Sequence, residues 1–94
     1  MAPAKQVAKR RIKRTDHSFV ELSVFEVPMP LKGSTHNYKY RLAYVVLDEC
    51  VMRYDNEAGK GDHKHIGRNE IPYSFVDLET LFHDFFADVE RIET

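Results

Sequence analysis

Arg53–Gly67 reads R-Y-D-N-E-A-G-K-G-D-H-K-H-I-G and collects groups that can move protons or hold anions. Arg53, Tyr54, Asp55, Lys60, Asp62, His63, Lys64 and His65 lie in it among three glycines, and Arg68 and Tyr73 follow. His63 and His65 form the most specific feature. In an extended segment alternate side chains face the same way, about 6–7 Å apart. Two imidazoles so placed, titrating near neutral pH, can act as proton donor and acceptor toward one substrate. Asp55 or Asp62 can orient one ring. Arg53, Lys60, Lys64 and Arg68 can stabilise charge developing on a phosphate. Tyr54 and Tyr73 offer a hydroxyl, or a ring for a base to stack on. That set meets the needs of metal-free RNA cleavage: a base for the 2′-hydroxyl, an acid for the leaving oxygen, and cations between them.

Plainer readings stand beside it. An H-x-H pair in a polar loop is often simply solvated, and Arg53 can pair with an acidic neighbour on the next strand. Zinc is a second reading, because His63 and His65 with Asp62 or Asp55 supply three N/O ligands. Cys50 lies too far inside a strand to complete a familiar zinc motif, so the reading takes no metal and no cofactor. The G-K-G at 59–61 lacks the spacing of a phosphate-binding P-loop. His17, His36 and His83 are isolated and receive no role.

The elements around this stretch follow from periodicity. Ser18–Val27 alternates, with Val20, Leu22 and Val24 on one face, and Pro28 and Pro30 end it. Pro28–Thr35 is a connection in which Gly33 can take a turn conformation. His36–Leu47 is the clearest strand, with Tyr38, Tyr40, Leu42, Tyr44 and Val46 on one face. A turn at Asp48-Glu49 leads into Cys50–Asp55, making a hairpin. A loop is expected over Asn56–Gly61, a short strand over His63–Ile66, and an edge strand over Ile71–Phe75 that tolerates Pro72. The C-terminus reads as a helix capped by Asp77, with Val76 and Leu81 at staple spacing. Leu78, Leu81, Phe82, Phe85, Phe86, Val89 and Ile92 form its apolar stripe, and Asp84 and Asp88 fall outside it. The expected fold is α+β: an antiparallel sheet of three to five strands packed by the C-terminal helix.

With 94 residues the chain is one small domain, expected over residues 17–94, preceded by a basic flexible arm at 1–16. The arm carries six basic side chains against Asp16 alone, whereas residues 70–94 carry Arg91 against seven acidic ones. A net charge of −1 hides this polarity, which suits the arm to phosphates and the acidic helix to a basic partner. No stretch approaches the roughly 20 apolar residues of a membrane helix. No apolar h-region follows the basic start, so no secretory signal is expected. A lone Cys50, expected as a small buried hydrophobe, fits a reducing, cytoplasmic setting.

Arg53–Val89 resembles the small toxins of the TumE family of toxin–antitoxin systems. The matching runs are R-Y-D-N at 53–56, G-K-G-D-H-K-H-I-G at 59–67, P-Y-S-F at 72–75 and L-E-T-L-F-H-D-F-F-A-D-V at 78–89. The Tyr-rich hairpin between Phe19 and Cys50 is similar but less specific, and the N-terminal arm falls outside the resemblance. The resemblance implies a cytoplasmic prokaryotic toxin, neutralised by a helix-turn-helix antitoxin that represses the operon. It carries no catalytic assignment. The roles given to His63, His65, Asp62, Arg53, Tyr54 and Asp55 in catalysis, and to Lys60, Lys64, Arg68 and Tyr73 in phosphate binding, come from residue type and spacing. The leading expectation is an RNA-directed toxin acting as a metal-independent endoribonuclease, with RNA and the antitoxin as partners and a homodimer permitted. The alternative is a binding module without chemistry, using the basic arm and the acidic helix on nucleic acid or protein.

Overall fold

In the computed structural model, which describes residues 4–93, every strand pairs antiparallel with its neighbour in sequence. The six run in the order β1 (Lys5–Thr15), β2 (Ser18–Glu26), β3 (Tyr38–Val46), β4 (Glu49–Glu57), β5 (Gly61–Ile66) and β6 (Asn69–Pro72). One helix, α1 (Leu78–Glu93), follows and covers one face of this meander. The fold is therefore the expected α+β arrangement, with six strands rather than three to five.

Alternation decides which face is covered. Val20, Leu22 and Val24 of β2, Tyr40, Leu42 and Tyr44 of β3, and Met52 and Tyr54 of β4 are buried against Leu81, Phe85 and Val89 of α1. Each such large apolar side chain contributes roughly 1.5–3 kcal/mol before entropy. Asp77 caps the helix as expected, its Oδ1 accepting from the Thr80 N–H at 2.7 Å. Val76 is exposed and makes no staple, Ile92 is partly exposed, and Asp88 is buried although its position in the helical pattern places it outside. The helix crosses from the β6 side toward β1, as its ties to Tyr73, Lys64 and Arg14 show.

The first strand is the main departure. Lys5–Thr15 pairs along β2 instead of forming a flexible arm. Only Ala8 and Ile12 touch the core, which suffices for an edge strand whose other positions face water. Arg14 reaches across to Glu93, with Nη2 2.7 Å from Oε1. This bond, opposed by slight desolvation, holds the Glu93 carboxyl below its usual range. The charges along β1 also suit an edge that must not template further pairing.

The β3–β4 turn is Leu47-Asp48, one residue earlier than expected, because a bulge after Tyr44 leaves Val51 unmatched. Leu47 and Asp48 both have positive φ, 51° and 64°, as a two-residue primed turn demands. Leu47 is exposed, so its side chain gains little there. Leu47→Asn should recover about 1 kcal/mol of left-handed strain, raising Tm by roughly 4–8 °C in a thermal melt. A lowered Tm would mean that the leucine packs where the structure leaves it open. Cys50, just beyond the turn, is exposed rather than buried.

Candidate functional site

Strand alternation divides the Arg53–Gly67 cluster between the two faces of the sheet. Arg53 and Asp55 of β4 sit directly opposite His65 and His63 of β5, on the face away from the helix. Tyr54, Lys64 and Asp62 take the other parity and belong to the helix side. The stretch expected as a loop from Asn56 is strand as far as Glu57, and only residues 58–60 turn. That longer pairing brings the two histidines beside Asp55.

On the open face, Nε2 of His63 lies 2.8 Å from Oδ1 of Asp55, and Nε of Arg53 lies 2.9 Å from Oδ2 of the same carboxylate. Neither contact is aligned as a hydrogen bond, so Asp55 Oδ1 and Arg53 Nε are buried without a hydrogen-bond partner. The other ring nitrogen of His63, Nδ1, is 3.1 Å from the Gly61 carbonyl. His65 meets His63 edge to face, with ring centroids 4.8 Å apart. His63 and Asp55 are buried, at 4 % and 6 % exposure, whereas His65 is only half-buried. Glu70 of β6, paired with His65, places Oε1 3.8 Å from His63 Nε2.

The same face carries a belt of cations. Register puts Arg41 beside Asp55 and, through Ser23, Lys9 beyond it. A second row runs from Arg53 through Ala43 and Glu21 to Arg11. Lys13 and Lys39 lie on the same face, and Phe19 and Phe25 stand half-buried between the charges. Arg11 lies 4.3 Å above the Phe19 ring and 3.2 Å from Glu21.

Asp62 does something else. Its carboxylate accepts from Ser34 Oγ at 2.6 Å and Tyr40 Oη at 2.8 Å, and meets His36 Nε2 at 2.6 Å. Burial first, then this bond, pushes the Tyr40 hydroxyl well above its ordinary pKa. His36, expected to be isolated and without a role, also stacks on Phe75 with ring centroids 3.7 Å apart. This network pins the 28–37 connection to β5. The docking is close enough to require glycine: Gly33 and Gly61 both have positive φ. A Cβ on Gly61 would come within 2.8 Å of the Gly33 carbonyl oxygen.

A third polar group lies between sheet and helix. Tyr54 Oη donates to Asp88, Lys64 Nζ sits 3.1 Å from the same carboxylate, and Tyr73 Oη donates to Asp84 at 2.6 Å. Desolvation opposes charge on Asp88 most strongly. The bonds from Tyr54 and Lys64, with the charges of Lys64 and Arg91, outweigh it and hold the carboxyl below its usual value. Burial and the same partners raise the Tyr54 and Tyr73 hydroxyls. Lys64, Tyr54 and Tyr73 thus join sheet to helix, away from the histidines. Lys60 and Arg68 are exposed in the turns flanking β5.

Sequence reading missed that Arg41, Lys9, Arg11 and Lys13 share the face of the sheet that carries the histidines. Their alternate spacing was the available signal. Among the described residues no helix is long and apolar enough to cross a membrane. No curated protein and no solved structure matches the chain significantly. A sequence model described as Toxin TumE matches residues 2–93, thereby including the segment that the resemblance left out. The chain belongs to the TumE toxin family.

Proposed function

We propose that this toxin acts on RNA as an endoribonuclease, with the Asp55–His63–His65 cluster as its reaction centre. The observation that supports this is the shared face: the cluster and the cations of β1, β3 and β4 lie on the one side of the sheet that the helix leaves open. A phosphate backbone laid over Lys9, Arg11 and Arg41 would reach Arg53 and His65, and the half-buried Phe19 and Phe25 offer rings to unpaired bases. His65 is the imidazole a substrate can meet. His63, buried behind it with Asp55, sets its surroundings. Asp62, Tyr54, Lys64 and Tyr73 then serve the fold. The protein would act in the cytoplasm and be neutralised by a helix-turn-helix antitoxin, for which the exposed acidic positions of α1, Glu79 and Glu90, offer a counter-charged surface.

The test is cleavage of single-stranded RNA by purified protein, alongside growth arrest on expression. His65→Ala should lower cleavage by at least ~100-fold and relieve the arrest, with RNA affinity largely kept. Cleavage that survives His65→Ala would sink the assignment. A wild-type protein that binds RNA through these cations without cutting it would support the binding-module alternative.

A further inference from the structure

Two features of the Asp55–His63–His65 cluster fit poorly with a pair of imidazoles acting as separate acid and base. His63, at 4 % exposure, is too deeply buried to touch a substrate together with His65. Asp55 Oδ1 is buried without a hydrogen-bond partner, although His63 Nε2 lies only 2.8 Å away. The Gly61 carbonyl can only accept, so its contact with Nδ1 puts the His63 proton there. Nε2 then points at a carboxylate oxygen 2.8 Å away with no aligned hydrogen bond between them. A ring nitrogen and a buried carboxylate oxygen that close can share a proton or a metal cation. A backbone carbonyl holding the far N–H is also how a metal-ligating imidazole is usually fixed. The third donor is in reach, since ligand atoms of Asp55, His63 and His65 all lie within 4.8 Å of one another.

We propose that Asp55, His63 and His65 bind a divalent transition-metal ion of the zinc class, with Glu70 at the rim as an exchangeable fourth ligand. Two imidazole nitrogens with a carboxylate suit zinc and its neighbours, whereas magnesium and calcium favour all-oxygen sites. Three protein ligands with one side toward solvent is the pattern of a zinc site that keeps a position for water or substrate. His65 is half-buried and Glu70 exposed, so the cluster opens to solvent on the same face of the sheet that carries the cationic belt. Arg53, against the second oxygen of Asp55, holds that carboxylate in place. The inference rests on the reaction centre assigned above but not on RNA being its substrate.

Full-length protein freed of metal by EDTA and dialysed would be titrated with zinc chloride by calorimetry, with cobalt(II) as an optical probe and magnesium as comparison. The expected result is one zinc per chain, a four- or five-coordinate cobalt spectrum without a thiolate band, and far weaker magnesium binding. Asp55→Asn and His65→Gln should each weaken zinc binding by at least ~10-fold, with circular dichroism confirming the fold. His83→Ala, an exposed position on α1, should bind as wild type. Absence of zinc binding, or stoichiometric binding that survives the Asp55→Asn/His65→Gln double variant, would overturn the proposal. The two readings separate cleanly. RNA cleavage persisting in EDTA, with no zinc bound, would remove the metal and keep the nuclease; zinc binding without cleavage would do the reverse.

Discussion

Gly61→Ala is expected to remove about 2–5 kcal/mol of stability, combining a left-handed backbone penalty with an overpacking clash. Domains have only about 5–15 kcal/mol to lose, so this one substitution would leave the fold marginal. The cause is local: the added Cβ would meet the Gly33 carbonyl oxygen at 2.8 Å, and a residue with positive φ on each side cannot easily yield. Gly67→Ala provides the internal comparison. Gly67 also has positive φ, 60°, but a Cβ there meets nothing within 4 Å, so it should cost only the backbone part, roughly 1–2 kcal/mol. Urea unfolding of the two variants measures the difference. Equal losses would show that the 28–37 connection simply swings away.

Asp62→Ala should be comparably severe, at about 3–5 kcal/mol, because it strands the polar groups of Ser34, His36 and Tyr40 in a largely buried setting. Its effect on chemistry should be small. Asp62 lies on the opposite face from His63, so RNA cleavage per folded molecule should stay close to wild type while the urea midpoint falls. A variant that keeps its stability and loses cleavage would return Asp62 to the reaction centre. Asp62→Asn keeps an acceptor oxygen and should lose less.

Much of this fold is legible in the sequence, since strands and helices announce themselves through the side chains they bury. Val20, Leu22 and Val24 alternate, as do Tyr40, Leu42 and Tyr44, and Asp77 sits where a helix needs a cap. The first strand is hidden for the converse reason. An edge strand can hold on by backbone pairing and two apolar contacts, here Ala8 and Ile12, so its hydrophobicity stays low while its charge suggests a solvated arm. Asp88 misleads in another way. Its position on the helix is polar by pattern, and only the arrival of Lys64 and Tyr54 from distant strands makes its burial tolerable. The candidate site shows both behaviours. Applied to His63 and His65, period-two alternation pairs them. Carried one residue either way, it also removes Tyr54, Asp62 and Lys64 from their company, which a reading by composition alone does not do.

The three-residue turn between β4 and β5 acts as a gauge for the whole centre. It sets Asp55 opposite His63 and Arg53 opposite His65, and those pairings are what put four reactive side chains on one surface. Because side chains alternate strictly, a slip of one residue would turn both imidazoles in beneath the helix and bring Asp62 and Lys64 out. The glycines at 59 and 61 thus guard more than a bend: by fixing the count of residues across the hairpin tip, they choose which side of the sheet carries the chemistry.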